Sequence, residues 1–397
     1  MLLSFARRML TETDPRLLFK FAYNFGFKGI RSVELFKRRI RRGEYFPPFL
    51  FISIISGCQL RCQGCWVDVS APSRHLSLED MNRIVADAKK HGNSYFGILG
   101  GEPFLHPNLF EIVESHPDCY FQIFTNGQLI TDDVARRLRK AGNVSPLISI
   151  EGAAAVSDER RGRLNVLSKT LAGLQNCRKN RLITGVATSV CKTNINDLVT
   201  ESWLRRLIHM GVHYVWFHTY RVVGPNPSPH LALSPEEVLK VRRFVVEMRS
   251  RLPIAIVDAY WDDQGEALCP MATGVSHHIS PYGDVEPCPV IQFAAENIRQ
   301  HGSIYQTITR SAFLKDFRQT AAQATRGCVV LERPDLVRDL VLRHQARDTT
   351  QRGTALAEIE ALQPRHSQYN PGNQVPEDHW AYRFAKKHWF FGFGAYT

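Results

Sequence analysis

The chain has 397 residues, 44% apolar and 22% charged: enough for a sizeable core and long for one domain, so one large α/β unit with a smaller appendage is expected. No run of 18 apolar, uncharged residues occurs, which excludes a spanning helix of ordinary hydropathy, and Arg7, Arg8, Glu12 and Asp14 interrupt any signal-peptide core. The odd count of nine cysteines argues for a reducing, cytoplasmic setting rather than a disulfide scaffold.

The formal charge of +12 is concentrated at the N-terminus, where residues 1–45 carry eleven Lys/Arg against four Asp/Glu, interleaved with Phe5, Phe19, Phe21, Tyr23, Phe25, Phe27 and Phe36. Three readings stand. The segment is a helical preface that packs its aromatics on the domain behind it, with Arg38, Arg39, Arg41 and Arg42 as a solvated cap; or it lies on an anionic membrane surface from the cytoplasmic side; or it meets nucleic acid, which only the net charge favours. From residue 49 apolar strands alternate with amphipathic helices. The expected strands are 49–56, 95–99, 119–125, 146–150, 182–190 and 213–220. The expected helices are 77–91 (a capping box of Ser77 and Asp80, a stop at Gly92), 107–116, 131–141 (closed by Gly142), 165–179 and about 196–210. Six βα units in succession imply a parallel sheet with right-handed crossovers. The Pro-rich piece Gly224–Pro229 marks a boundary, followed by a helix at 235–251.

Between the first strand and helix lies Cys58-Gln59-Leu60-Arg61-Cys62-Gln63-Gly64-Cys65-Trp66. Three soft thiolates in eight residues suit an iron–sulfur cluster or zinc, and a four-iron cube held by three cysteines leaves one iron open. About 40 residues on, Gly100-Gly101-Glu102-Pro103 ends the second strand. The CxxxCxxC loop with Trp66 behind it, and this GGEP segment, resemble the radical S-adenosylmethionine (radical SAM) enzymes over residues 49–225.

That resemblance implies a partial (β/α)6 TIM-like barrel with its chemistry at the carboxyl ends of the strands. It implies a [4Fe-4S] cluster on Cys58, Cys62 and Cys65 and S-adenosylmethionine (SAM) on the open iron, contacted by Trp66 and the backbone of Gly100, Gly101, Glu102 and Pro103. Asn126, Ser149 and Glu151 are candidate polar contacts at strand ends. Arg161, in a "D…RG" segment with Asp158 and Gly162, is a candidate for the SAM carboxylate. The implied reaction is reductive cleavage of SAM to a 5′-deoxyadenosyl radical, followed by hydrogen abstraction from a substrate. An electron donor such as flavodoxin or ferredoxin is the implied partner.

Further on, Cys269, thirteen residues, Gly283, four residues and Cys288 resemble the opening of a SPASM/twitch appendage, with a β-hairpin of 277–280 and 285–286 between them. A full SPASM domain needs more cysteines; only Cys328 follows, and Leu331 stands where a CxxC partner would be. One auxiliary [4Fe-4S] cluster on Cys269, Cys288 and Cys328 is therefore expected, with its fourth iron open or held by another group, for which His277 and His278 are candidates. Cys119, Cys177 and Cys191 read as core thiols. The Arg205-Arg206 and Arg242-Arg243 pairs read as solvated helix faces.

The expected organisation is a basic aromatic helical segment (1–47), a barrel (48–225), an auxiliary-cluster region (226–335) and a helical, aromatic tail (336–397). The tail ends in Trp389-Phe390-Phe391-Gly392-Phe393, too apolar to hang in water. For substrate, the basic aromatic N-terminus and this tail favour a lipid or isoprenoid at a membrane surface. The alternatives are a peptide-modifying (RiPP-type) maturase, for which 45 leading residues are short of a peptide-binding domain, and a non-catalytic iron–sulfur or zinc scaffold.

Overall fold

The computed structural model describes residues 1–275 and 277–389. Six parallel strands appear where the apolar runs placed them: β1 (Leu50–Ser53), β2 (Tyr95–Leu99), β3 (Tyr120–Thr125), β4 (Val144–Ser149), β5 (Gly185–Val190) and β6 (Tyr214–Thr219). They pair in sequence order, Leu50 opposite Phe96 and Val186 opposite Val215, as consecutive right-handed units require.

Two features of the sheet differ from the six-unit expectation. A seventh parallel strand, β7 (Ala255–Val257), follows β6, too short for its apolar run to stand out. The hairpin β8 (His278–Ile279) and β9 (Asp284–Glu286) joins the sheet itself, because Phe51 of β1 pairs in parallel with His278. With β10 (Phe293–Ala294) set aside in a small sheet with residues 347–348, β11 (Glu296–Asn297) extends the main sheet beyond β9. The hairpin carrying the second cysteine group is thus hydrogen-bonded to the strand that leads into the first.

Side-chain caps explain where several of the helices start. The first three are α1 (Leu2–Glu12), α2 (Pro15–Lys20) and α3 (Lys28–Ile40), with a π-helical turn at Phe21–Phe27. In α4 (Leu78–Lys90) the Ser77 hydroxyl accepts from Asp80 N, but the Asp80 carboxylate pairs with Arg83 and Arg299, so the expected box is only half formed. Then come α5 (Leu109–Ser115) and α6 (Asp132–Ala141), the latter capped by Thr131 and closed by Gly142 at φ 73°. A helix the periodicity missed, α7 (Ala154–Arg161), precedes α8 (Val166–Lys179), α9 (Ile195–Leu198) and α10 (Glu201–His209). A full capping box, Ser234 with Glu237, starts α11 (Pro235–Arg251).

The N-terminal helices cover the amino ends of the strands. Arg8 donates to the carbonyls of Pro253 and Val212, and Phe25 packs on Tyr95, Tyr120 and Trp389. That favours the preface reading for one face, while Phe19, Tyr23 and Phe27 stack in an exposed row on the other. Arg39 is no part of a solvated cap: it donates to His91 O and lies over Phe46 and Tyr305. Of the tail, Trp389 docks with Nε1 on Phe25 O, and the expectation for Phe390–Phe393 lies outside the described residues.

The Arg242-Arg243 reading is overturned for Arg242. It is 1% exposed and joins Arg249, Asp258, Glu377 and Lys386 in a buried ionic knot, with Arg242–Asp258 at 2.6 Å and Lys386–Asp258 at 2.9 Å. Buried charges persist only when paired and hydrogen-bonded, and α11 turns this side toward the C-terminal helix Trp380–His388. Cys119, Cys177 and Cys191 are fully buried in the core.

Candidate active site

The cysteine loop and the GGEP segment are held backbone to backbone. Gly101 N donates to Ile55 O at 2.7 Å and Glu102 N to Gly57 O at 2.8 Å. A Cβ on Gly101 would collide with the Gly57 and Ser56 carbonyls, and one on Gly64 (φ 69°) with the Tyr220 ring. Glycine is required at both positions by close approach. The Glu102 side chain is fully buried and accepts from Thr125 Oγ1 (2.8 Å), Asn126 N (2.8 Å) and Phe104 N (3.1 Å). It locks the ends of β2 and β3 together, so the carboxylate is spent on the fold. Pro103 starts a single 3-10 turn that carries the chain away.

Around the loop the strand ends supply polar groups. Gln59 Nε2 donates to Asn126 Oδ1 at 3.2 Å, and Asn126 Nδ2 is buried with no protein partner. Arg161, at the end of α7, reaches Cys62 Sγ at 3.5 Å and Glu151 Oε1 at 2.9 Å, while Glu151 Oε2 accepts from Ser189 N. Burial opposes the Arg161 charge, but the neighbouring Cys62 and Glu151 outweigh it and hold the guanidinium above its ordinary basicity. Asp158 instead accepts from Asn165 N and Leu167 N at the start of α8. Ser149, the last residue of β4, lines the barrel cavity described below.

Burial pushes the thiols of Cys58 and Cys65 up to about 11 and about 12, so loading a metal there must displace protons. Among the described residues no three His, Cys, Asp or Glu converge on a single ion. A cube puts each thiolate on a different iron, and so tolerates sulfurs spread over a loop. Three soft donors, a glycine-tight backbone and the unpartnered Asn126 amide fit a cluster with SAM beside it.

The second cysteine group lies on the wall of the barrel cavity. Cys269 lies after β7, Cys288 after β9 and Cys328 ahead of the short helix Val329–Glu332, and all three line the cavity. Arg221, just past β6, sits among them. Burial raises Cys269 to about 11 and Cys328 in the same direction. Leu331 is buried in that short helix. His278 is not available as a fourth ligand: Nε2 pairs with Ser53 Oγ at 2.7 Å and Nδ1 with Glu286 at 2.6 Å, and Thr349 closes the chain on Glu286. This buried network ties the hairpin to β1, and Trp66 packs edge-on against His278.

Gly64 and Trp66 of the loop and the three cysteines of the second group line one cavity of about 540 Å³. Its wall includes first residues of strands (Tyr95, Tyr120, Tyr214) and last ones (Leu99, Ser149, Thr219), so it spans the height of the barrel. Six-residue strands at ~3.3 Å per residue make that roughly 20 Å. The middle is mostly apolar, with Phe51, Phe124, Ala187, Trp216 and Val257, interrupted by Gln122 and His218. Closed (β/α)8 barrels fill this space with side-chain layers; here it is open. Sequence reasoning missed this bore, Arg221 and its neighbours Tyr260 and Gln368, because no local pattern marks residues that meet only through the fold.

Residues 52–215 match the profile described as the Radical SAM superfamily. The AdoMet-dependent heme synthase of Methanosarcina barkeri (strain Fusaro / DSM 804) is 28% identical over 215 residues, 53% of this chain and 61% of the relative, so the match spans less than two thirds of that protein. The mycofactocin maturase MftC of Mycobacterium tuberculosis (strain CDC 1551 / Oshkosh) is 25% identical over 324 residues, 75% of this chain and 78% of the relative. In fold, Streptococcus suis SuiB bound to its precursor peptide SuiA superposes with TM-score 0.60 at 17% identity, covering 72% of this chain and 70% of that one. With the cysteine loop and GGEP segment in place, residues 52–215 carry a radical SAM domain, and their donors fit a [4Fe-4S] cluster and SAM.

Proposed function

We propose that this enzyme cleaves SAM reductively and takes a hydrogen atom from an apolar, chain-like substrate, of lipid or isoprenoid type, seated in the barrel bore. The observation that carries this reading is the open cavity of about 540 Å³ whose middle is lined by Phe51, Phe124, Trp216 and Val257. Apolar pockets with a few placed polar groups are the usual form of a small-molecule site. When bound, the cluster and SAM supply a 5′-deoxyadenosyl radical. The chain's residues do the rest. Cys58, Cys62 and Cys65 hold the cluster, and the backbone of Gly100–Pro103, with Asn126, Ser149, Glu151, Arg161 and Trp66, orients SAM. The apolar wall keeps water and stray hydrogen donors away. Cys269, Cys288 and Cys328 hold the auxiliary cluster at the cavity wall.

The exposed row of Phe19, Tyr23 and Phe27, with Lys28 over the Tyr23 ring and Arg16, Lys20 and Arg31 on the same segment, supports peripheral docking on an anionic membrane face. No described helix is long and apolar enough to cross a membrane. A flavodoxin or ferredoxin type of donor would supply the electron.

The test is deuterium transfer. A perdeuterated prenyl or acyl chain incubated anaerobically with enzyme, SAM and reductant should deliver deuterium into 5′-deoxyadenosine; transfer from a deuterated peptide and from no apolar chain would replace this reading. That peptide reading has its own support in the names of MftC and of the SuiB complex. The names of these relatives, synthases and maturases, support turnover over a non-catalytic scaffold.

A further inference from the structure

The wall of the bore carries one acidic and one basic side chain among its described Asp, Glu, Lys and Arg residues, Glu151 and Arg221. Glu151 is matched by Arg161. Arg221 is matched by no carboxylate: its guanidinium donates to Gln368 Oε1 at 2.6 Å and lies over the Tyr260 ring at 4.8 Å, and no described Asp or Glu pairs with it. Gln368 is itself buried and fixed, donating to Leu268 O at 2.8 Å. The guanidinium is therefore braced in one place, and Arg221 lines the cavity. A charge withdrawn from water and left without a counter-ion is costly, and arginine's fork suits two-point contact with a carboxylate or phosphate.

We infer that Arg221, braced by Gln368 and Tyr260, anchors the anionic head of an amphiphilic substrate at the auxiliary-cysteine end of the bore, with the apolar chain running down the barrel. The inference rests on the apolar-substrate reading and adds a head group and a direction to it. The shared chemistry is a carboxylate or phosphate on a long apolar chain. The competing role is electrostatic: Cys328, Cys269 and Cys288 surround Arg221, and a thiolate-held cluster could be its counter-ion.

The experiment measures binding on the full-length, cluster-reconstituted protein by quenching of Trp66 and Trp216 fluorescence. The probes are farnesol, farnesoic acid and farnesyl monophosphate, one chain with three heads. At least one charged probe should bind ten-fold or more tightly than farnesol, the better of the two naming the head. Arg221→Gln should erase that difference while farnesol binding persists, and Arg221→Lys should restore part of it. Equal binding of all three by the unaltered protein, or a preference that survives Arg221→Gln, overturns the anchor. Binding of none overturns the apolar-substrate reading along with it. Arg221→Gln could also release auxiliary iron, so the titration is repeated on iron-free protein. A preference that persists there and needs Arg221 supports the anchor; one that vanishes with the iron assigns Arg221 to the cluster and overturns it.

Discussion

The two cysteine groups are built in opposite ways. Cys58, Cys62 and Cys65 sit on one loop at the end of β1, clasped by the GGEP backbone and by Arg161. Cys269, Cys288 and Cys328 come from three segments spread over 60 residues, and meet only because the hairpin joins the sheet beside β1 and the chain after α11 folds back over the bore. The first site is thus a local structure that a strand presents. The second is a product of the whole fold, and should be the more easily lost of the two.

The largest effect expected from this contrast follows replacement of the loop cysteines. Cys62→Ala should lower iron from about eight to about four atoms per chain in anaerobically reconstituted protein. Fold stability should be little changed, because the loop's backbone bonds to Ile55 and Gly57 remain; a circular dichroism melt checks this. A Cys269→Ala/Cys288→Ala variant should also shed about four irons while the loop cluster keeps its SAM-dependent EPR change. An iron count unchanged by that variant would remove the auxiliary cluster and with it the contrast.

A subtler break targets the link between the sites. Glu286→Gln removes the carboxylate that holds His278 against Ser53, and should cost about 1–3 kcal/mol in urea unfolding. Its effect on auxiliary iron should exceed that on loop iron. Equal loss from both would mean that the hairpin network serves the whole barrel.

The comparison is sharpened least by pH dependence, which reports on the barrel and not on either cysteine group. Burial, helped by Arg8 at His213 and by Arg318 at His277, lowers both imidazoles to about 4. Their folded values lie below the unfolded ~6.5, so between those limits the unfolded chain takes up protons that the folded chain refuses. Stability should therefore fall as pH drops from ~6.5 toward 4, by up to roughly 1.4 kcal/mol per pH unit for each group. His213→Gln should flatten that slope, as measured by unfolding at several pH values.

What could be read from the sequence follows the same division. The strands from β1 to β6 and the caps at Ser77, Thr131 and Gly142 were legible because each is set by neighbours in the chain. So was the clustering of thiols at Cys58–Cys65. The seventh strand was missed because three residues, Ala255–Val257, leave no periodicity. Arg242 was misread because a helix face looks solvated until Asp258, Glu377 and Lys386 arrive from elsewhere to bury it. His278 looked like a spare ligand until β1 brought Ser53 to it. The bore and Arg221 belong wholly to this second kind.

The most direct test is anaerobic incubation with dithionite and SAM, followed by chromatography for 5′-deoxyadenosine. The account predicts that the nucleoside forms, that Cys62→Ala abolishes it, and that the Cys269→Ala/Cys288→Ala variant still makes it. Protein loaded with four irons at the loop that forms none, or that binds only zinc there, would contradict it.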